Sequence, residues 1–520
     1  MSPGDERADW YASPDRPKPV RDRFAKLNRL RELGIEPYAY GFRRTGSLAE
    51  AFESFDETRD AEGPAVRVAG RILSMRDMGG SAFAHLGDRT GRLQVYVRKE
   101  DLGDSTREVL SLLDLGDWVG VEGPLFRTRT GEITVRVASL TLLAKTLRPL
   151  PLGKEERDEE GRRRVHGGFS NVESRYRERY ADLAVNPEVR DVFRTRARII
   201  SRLREVLDAG GFLEVETPVL QPLYGGAYAR PFTTYHNRLD RPLYLRIADE
   251  LYLKRLIVGG LERVYEIGKN FRNEGIDRTH NPEFTMLEAY EAFADYEGMM
   301  DLAEQLVTTA AQVVTGSTRI AWDGGTLDLS APWRRITFFD AIREYGGFEA
   351  RTAEDGELRE RLARHGRDPE HVAGLSRAKL LDAVFGDIVE PELRDPVVVR
   401  DFPIEMSPLA KPLRGDAELA ERFEVIVAGM EIVNAFSELN DPLDQWGRLS
   451  AQARLRAEGD EEAQALDEDY VRALEYGLPP TGGLGLGVDR LVMLLTDRRS
   501  IREVILYPIL REDEGRPARP

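Results

Sequence analysis

Residues 262–290, ERVYEIGKNFRNEGIDRTHNPEFTMLEAY, read as a strand, a charged loop and a second strand, and no other segment constrains the fold as tightly. In the second strand Phe284, Met286, Glu288 and Tyr290 fall on one face by the strand period of two. Before the loop, Arg272 and Glu274 share a face in the same sense. One surface then carries a stacking aromatic, a fixed cation suited to a phosphate or carboxylate, and an acid–phenol pair. That equipment can hold a nucleotide beside a small cationic molecule. A solvated surface hairpin accounts for a lone FRNE, since Arg and Glu usually face water, but it accounts poorly for the whole set.

A second segment, RFEVIVAGMEIVNAFSELND at 422–441, carries polar groups inside a strongly apolar pattern. Glu424 and Glu431 are an odd number of residues apart and would face opposite ways on one strand. Ala428, Gly429 and Met430 offer a turn that would bring the two carboxylates near each other across a hairpin. Such a pair beside a nucleotide suits Mg²⁺, because hard cations take oxygen ligands. Beyond the turn Asn434, Phe436 and Glu438 share a face. Glu288, Tyr290 and Glu438 could together enclose an ammonium group, which only donates hydrogen bonds. A buried acid cluster with no internal Lys or Arg partner is costly unless a ligand supplies the charge, so the ligand is expected to be cationic. This argument leaves lysine and arginine unseparated. GGLGLGVDR at 482–490 resembles a phosphate loop but lacks both GKS/T and the GxGxxG order. Its glycines allow close backbone approach, and Arg490 sits near a helix start, where anions are favoured.

At 520 residues the chain has room for a large core and a smaller module. It contains no cysteine, which excludes disulfides, thiolate zinc sites and cysteine nucleophiles and makes a cytoplasmic home the default. Its six histidines have no metal-ligand spacing. No apolar run is long enough to span a membrane, and the N-terminus has no apolar signal-like region. A net charge of −16 argues against indiscriminate nucleic-acid binding and leaves a specific RNA partner open. Between Arg16 and Glu36, seven basic residues stand against three acidic ones, and Phe24, Leu27, Leu30 and Leu33 keep helical spacing. This reads as an amphipathic helix with a basic outer face.

The chain divides into segments of different character. Residues 1–64 read as a helical, basic extension, and 65–147 as five short strands divided by turns, for which an OB-fold barrel is the leading candidate. Residues 148–185 are rich in charge, Pro and Gly and read as a linker, with KEERDEEGRRR expected to be mobile. Residues 186–511 read as α+β with an antiparallel sheet flanked by helices, followed by a tail at 512–520. Within that region FLEVETPVL is expected to be a strand stopped by Pro218.

The run FRNEGIDRTHNPEFTMLEAY at 271–290 closely resembles motif 2 of class II aminoacyl-tRNA synthetases, specifically the bacterial lysyl type. FLEVETPVLQP resembles motif 1, GLGLGVDR motif 3, and GGAYARPF with ADELYLKRL the amino-acid-binding strands. The resemblance covers roughly residues 20 to 510. It implies an antiparallel catalytic sheet, an N-terminal OB anticodon domain, a homodimer, and lysine–tRNA ligase activity on L-lysine, ATP and tRNA(Lys). By matched position it implies that Gly226, through its carbonyl, and Glu250 hold the lysine α-ammonium. Arg272 and Asn434 would hold the carboxylate, and Glu288, Tyr290 and Glu438 the ε-ammonium, with Phe436 in the same pocket. Phe284 and Arg490 would sandwich adenine, Glu274, His280 and Asn281 would complete the ATP contacts, and Glu424 and Glu431 would ligate more than one Mg²⁺. In the barrel, Arg76, Phe83, Gln94 and Glu132 would read the anticodon. The hairpin departs from many relatives in carrying Val433 and Ala435 beside the Asn, and the linker around 153–172 is longer than usual.

Three other readings have distinguishing marks. An aspartyl or asparaginyl enzyme would need a cation where Glu288 and Glu438 stand. A lysyl transferase acting on protein or lipid would lack the barrel or carry membrane spans. A non-catalytic RNA-binding relative would have eroded ATP residues, and none is eroded here.

Overall fold

The computed structural model describes residues 3–56, 63–157, 163–166, 168–459 and 462–511. The chain forms two units, Met1–Arg175 with Tyr180–Asn186, and Tyr176–Arg179 with Pro187–Pro520.

In the first unit, strands β1 (Ala65–Asp77), β2 (Ser81–Gly87), β3 (Arg92–Arg98), β4 (Trp118–Arg127) and β5 (Ile133–Arg136) run in the order β1-β2-β3-β5-β4. The sheet closes because β1 also pairs with β4. Alternate residues fill the barrel, among them Val68, Ile72, Leu86, Val95, Val121, Leu125 and Val135, all buried. The expected fifth run divides: after β5 the chain turns, and β6 (Ser139–Ala144) pairs with β4 outside the closed barrel. The division falls where the chain crosses Gly123. A Cβ there would stand 1.8 Å from the Arg136 carbonyl oxygen, so only glycine admits the crossing.

In the basic helix Lys18–Glu32, Lys18, Arg29 and Arg31 form the expected exposed basic face, but Arg23 and Lys26 turn toward the barrel. Arg23 is buried and donates to Thr146 Oγ1 at 2.5 Å and Leu115 O at 2.8 Å, and Lys26 pairs with Asp114 at 2.8 Å. The stretch read as a linker contains regular elements. Backbone pairing forms a hairpin of β7 (Lys154–Arg157) and β8 (Arg163–His166), and helices Val172–Arg177 and Arg179–Val185 follow. Residues 158–162 of the expected mobile core, and the tail at 512–520, lie outside the described residues.

The second unit opens with the helix Pro187–Ala209, then β9 (Leu213–Glu214), far shorter than the strand expected for FLEVETPVL. The reason is local: Thr217 turns its N–H and its hydroxyl onto the Glu266 carboxylate at 3.0 and 2.7 Å, and Pro218 follows. A small sheet of β10 (Leu220–Gln221), β11 (Thr233–His236) and β12 (Arg241–Leu245) comes next. The main sheet contains β13 (Arg263–Phe271) and β14 (Glu283–Ala292). After a separate hairpin of β15 (Arg319–Trp322) and β16 (Gly325–Asp328), it is completed by β17 (Arg334–Thr337), β18 (Val397–Pro403), β19 (Pro412–Leu413), β20 (Asp416–Val427), β21 (Met430–Ser437) and β22 (Thr481–Gly487). Its order is β17-β18-β20-β21-β22-β14-β13-β9, with β19 on β20. The centre is antiparallel as expected. The β17–β18 and β13–β9 pairings at the two edges are parallel, so the sheet as a whole is mixed.

One face of this sheet packs on the helices Pro187–Ala209, Tyr296–Thr315 and Val488–Leu495 through Leu203, Leu287, Ala303, Leu306, Leu484 and Leu491, all buried. Because strand side chains alternate, residues between these core positions are forced onto the opposite face. That face carries the polar groups singled out in the sequence.

Candidate active site

The β13–β14 hairpin pairs Glu266 with Glu288 and Asn270 with Phe284. Phe284, Met286, Glu288 and Tyr290 share the sheet face turned away from the helical core, as the period of two requires. Arg272 lies just beyond β13, where its N–H donates to Pro282 O at 2.9 Å and extends the hairpin by one pair. Its guanidinium sits 5.0 Å from the Phe284 ring centroid, a cation–π contact. Glu274 does not continue the strand; it stands exposed in the loop. In that loop Asp277 accepts the His280 backbone N–H at 2.8 Å and contacts its Nδ1 at 2.8 Å. Asn281 donates to Glu283 O at 2.6 Å.

β20 and β21 join through Ala428 and Gly429, both at positive φ, a two-residue hairpin turn. Glu424 pairs with Asn434 and Val425 with Val433, whereas Ile426 pairs with Glu431, leaving Ile432 as an extra residue. This bulge resets the side-chain parity. Glu431 and Asn434, three apart in sequence, therefore reach the same place: Asn434 Nδ2 donates to Glu424 Oε1 at 3.1 Å and to Glu431 Oε1 at 3.2 Å.

The two carboxylates have different neighbours. Burial, with Glu431, Glu390 and Asp382 nearby, pushes Glu424 up to about 8, even though Arg422 contacts it at 2.5 Å. Burial opposes the charge on Glu431 too, but Arg490 and Arg422 hold its carboxyl below the usual range. Arg490 Nη1 donates to Glu431 Oε2 at 3.1 Å, and Arg490 Nη2 lies 3.0 Å from His280 Nε2. This concentration of buried acid beside the FRNE loop fits a hard divalent cation, with phosphate oxygens as further ligands. Among the described residues no group of three or more acids or histidines has geometry sufficient to hold a metal by itself.

Gly487 leads directly from β22 into the helix Val488–Leu495, which places Arg490 in its first turn. That helix is locked to β14 by Asp489, which accepts the Thr285 N–H at 2.7 Å and pairs with Arg196 at 2.5 Å.

Toward the other end of the same face lies an acidic pocket. Glu288, Glu250 and Glu438 are all buried, with Asp249 beside them. The Asp249 N–H donates to Glu288 Oε1 at 3.1 Å, and the Tyr290 hydroxyl donates to Glu288 Oε2 at 3.2 Å. Burial pushes Glu288 up to about 7, and it raises Asp249, Glu438 and the Tyr290 phenol well above their ordinary values. Gly226, at φ +89°, lies against Glu250: a Cβ there would be 3.2 Å from Glu250 Cβ. Its N–H donates to Gln464 Oε1 at 3.4 Å.

One expectation is corrected here. The acid cluster does have an internal cation, because Lys254, fully buried, places Nζ 2.5 Å from Glu250 Oε1 and also against Glu438 Oε2. Its spacing from Glu250 is that of an ordinary i,i+4 surface pair, so the sequence offered no signal that it would be buried. One ammonium does not balance the set. Asp249 shares Arg246 with Glu266, at 3.0 and 2.6 Å, and among the described residues no lysine pairs with Glu288.

On the barrel, cross-strand pairing aligns Arg76 with Phe83, Phe83 with Tyr96, and Tyr96 with Arg136; the next row aligns His85, Gln94 and Thr134. Phe83 and Tyr96 rings lie 4.8 Å apart, Tyr96 and Phe126 6.0 Å, and the Arg136 guanidinium is 5.0 Å from Phe126. Glu132 accepts from Gln94 Nε2 at 2.8 Å and contacts His85 Nε2 at 2.9 Å. His85, Tyr96, Phe126 and Arg136 were missed from sequence, although the period of two through SAFAHLG and RLQVYVR would have found the first two. The result is an aromatic platform with polar edges, suited to stacking unpaired bases.

Comparisons with known proteins find relatives for both parts of the chain. Residues 171–511 match the family of class II tRNA synthetases (D, K and N), and residues 66–143 match an OB-fold nucleic acid binding domain. A lysine–tRNA ligase of Moorella thermoacetica is 52% identical over 495 residues, spanning 95% of this chain and 97% of that protein. One from Carboxydothermus hydrogenoformans is 50% identical over 492 residues, spanning 95% and 98%. Another from Pelotomaculum thermopropionicum is 50% identical over 496 residues, spanning 95% of each.

Gly483 of β22 borders the acidic pocket. A Cβ there would stand 1.9 Å from Glu438 Oε1 and 2.5 Å from a Tyr290 ring carbon. Gly483→Ala is therefore expected to weaken calorimetric binding of a cationic amino acid at least tenfold while the circular dichroism spectrum stays native. Unchanged affinity would show that the ligand lies elsewhere.

Proposed function

The chain belongs to the class II tRNA synthetases of the D, K and N group, ATP-dependent aminoacyl-tRNA ligases, and from that premise we propose that its amino acid is lysine and its nucleic acid tRNA(Lys). The observation that carries lysine is the buried trio Glu288, Tyr290 and Glu438, an acceptor-rich pocket in excess of its internal cation. An aspartate- or asparagine-specific pocket would present donors there.

In this reading the Gly226 carbonyl and Glu250 hold the α-ammonium, and Arg272 with Asn434 holds the carboxylate. Glu288, Tyr290 and Glu438 take the ε-ammonium, and Phe436 lines its path. Phe284 and Arg490 enclose adenine, and Glu274, His280 and Asn281 complete the nucleotide contacts. Arg272 lies 5.0 Å from the Phe284 ring centroid, and Arg490 is held by Glu431 at 3.1 Å beside it. Glu424 and Glu431 would hold Mg²⁺, which supplies neutralisation of phosphate charge when bound.

The chemistry needs no protein nucleophile. The lysine carboxylate, already anionic, attacks the α-phosphorus of ATP, and the bond to pyrophosphate breaks to leave lysyl-adenylate. The 3′-hydroxyl of tRNA then attacks the adenylate carbonyl and AMP departs. Arg272, against the Phe284 ring and within the field of Glu431 and Glu288, is the cation for charge developing during the first step. The domain assignment follows the same reading: a basic extension at 1–64, an anticodon-reading barrel at 65–147 using Arg76, Phe83, Gln94 and Glu132, a linker at 148–185, a catalytic domain at 186–511 and a tail at 512–520.

A homodimer is part of the proposal. The segment after the helix Pro187–Ala209 leaves Leu213, Val219, Leu220, Leu223, Tyr235 and Leu239 exposed, an apolar surface of the kind partners cover. A monomeric mass in sedimentation at micromolar protein would exclude it. Translation of this kind takes place in the cytoplasm, and no helix among the described residues is long and apolar enough to cross a membrane.

Exchange of labelled pyrophosphate into ATP, run with each of the twenty amino acids, tests the reading. Lysine alone should support exchange; exchange with another amino acid, or with none, would contradict it. In the same preparation Phe83→Ala should leave lysine-dependent exchange within twofold while raising the KM for tRNA charging at least tenfold. An equal loss in both assays would remove the barrel from tRNA recognition.

A further inference from the structure

Lys254 lies inside the acidic pocket, and none of the roles above uses it. It belongs to the helix Glu250–Val258, one turn beyond Glu250, and none of its side chain reaches solvent. Nζ contacts Glu250 Oε1 at 2.5 Å and Glu438 Oε2, and it stands 5.2 Å from the Phe436 ring centroid. The two acids come from separate elements. Glu250 begins its helix, whereas Glu438 follows β21, where its N–H donates to Thr481 O at 2.8 Å.

Under the proposed function these acids serve opposite ends of the substrate, Glu250 the α-ammonium and Glu438 the ε-ammonium. One internal ammonium touching both fixes how far apart they can stand: their oxygens are no further apart than the two contacts laid end to end. Without it, two buried carboxylates at that separation would repel each other or take up a proton. The other groups facing this centre are Asp249 beside the helix start, Glu288 and Tyr290 of β14, Tyr470 of the helix Glu468–Glu475, and Arg422 of β20 beyond Glu250. Among these Lys254 is the single ammonium, and Arg422 is already engaged by Glu424.

We propose that Lys254 is a positioning residue that sets the spacing of Glu250 and Glu438, and thereby the length of diamino acid that the pocket accepts. It is a built-in gauge: a substrate whose two ammonium groups match the held spacing meets both acids, and one shorter by a methylene reaches only one. The inference rests on the lysine reading of the pocket.

The test is pyrophosphate exchange with lysine and with ornithine, one methylene shorter, in the wild type and in Lys254→Met and Lys254→Arg. The wild type should favour lysine strongly. Lys254→Met should raise the KM for lysine at least tenfold and lower the lysine-to-ornithine ratio of kcat/KM at least tenfold, with the KM for ATP within twofold. Lys254→Arg keeps the charge but replaces the compact ammonium by a larger planar group. It should also lose discrimination, and it decides the question by the same ratio if the Met variant does not fold. A purely structural role would lower the melting temperature and the active fraction while leaving the ratio within twofold, which overturns the proposal. A fall in the lysine KM would overturn it as well, since Lys254 would then be a competitor for the site. If the wild type itself fails to exchange with lysine, the functional reading fails first; normal wild-type exchange with an unchanged ratio in both variants sinks this inference alone.

Discussion

Four carboxylates, those of Asp249, Glu250, Glu288 and Glu438, are buried at one end of a β-sheet, and their need for positive charge governs the rest of the site. Removing one partner of a buried ion pair typically costs about 3–5 kcal/mol, because the other charge is left without compensation. Lys254 and a shared Arg246 meet part of that need. Burial pushes Glu288 up to about 7, so that a proton meets part of the remainder, and on the proposed reading a cationic ligand takes its place. On the proposed reading, selectivity for an ammonium group is a property of charge balance inside a fold that is otherwise apolar on its helical side.

The sheet is what makes such a cluster possible. Antiparallel pairing of β13, β14, β20, β21 and β22 sets side chains on a fixed grid, and the helical face absorbs every second residue into the core. Glycines on β22 keep the grid open where neighbours need room, most clearly at Gly483. Asp489 and Arg196 then fix the helix bearing Arg490 against β14. Arg272 rests 5.0 Å from the ring centroid of Phe284, which shares its strand face with Glu288 and Tyr290 of the acidic pocket.

Much of this was legible in the sequence because it follows from period two. Phe284, Glu288 and Tyr290 share a face as read, and the turn at Ala428 and Gly429 is where the hairpin bends. Glu274 was placed on a strand that ends three residues earlier. The bulge at Ile432 was not legible, since both Ile432 and Val433 are apolar and either could face the core; it is the bulge that brings Glu431 to Asn434. Lys254 was invisible for another reason. A lysine four residues after a glutamate ordinarily pairs on a helix surface, and only the approach of Glu438, from nearly two hundred residues later in the chain, buries it. In the basic helix Lys18–Glu32 the charge pattern gives the outer face but does not say which cations meet a neighbour: Arg23 and Lys26 hold the helix to the barrel.

Proton release on lysine binding tests the account most directly. A carboxyl near 7 in the free protein loses its proton when an ammonium favours the charged form, so lysine should bind more weakly as pH falls through 7. Titration calorimetry at pH 7 in buffers of different ionisation enthalpy gives the number of protons exchanged. The account predicts net release, on the order of half a proton per lysine from a group half-protonated at that pH, reduced in Glu288→Gln. Binding with no release, or with uptake, would contradict the view that buried acid in search of a cation organises this site.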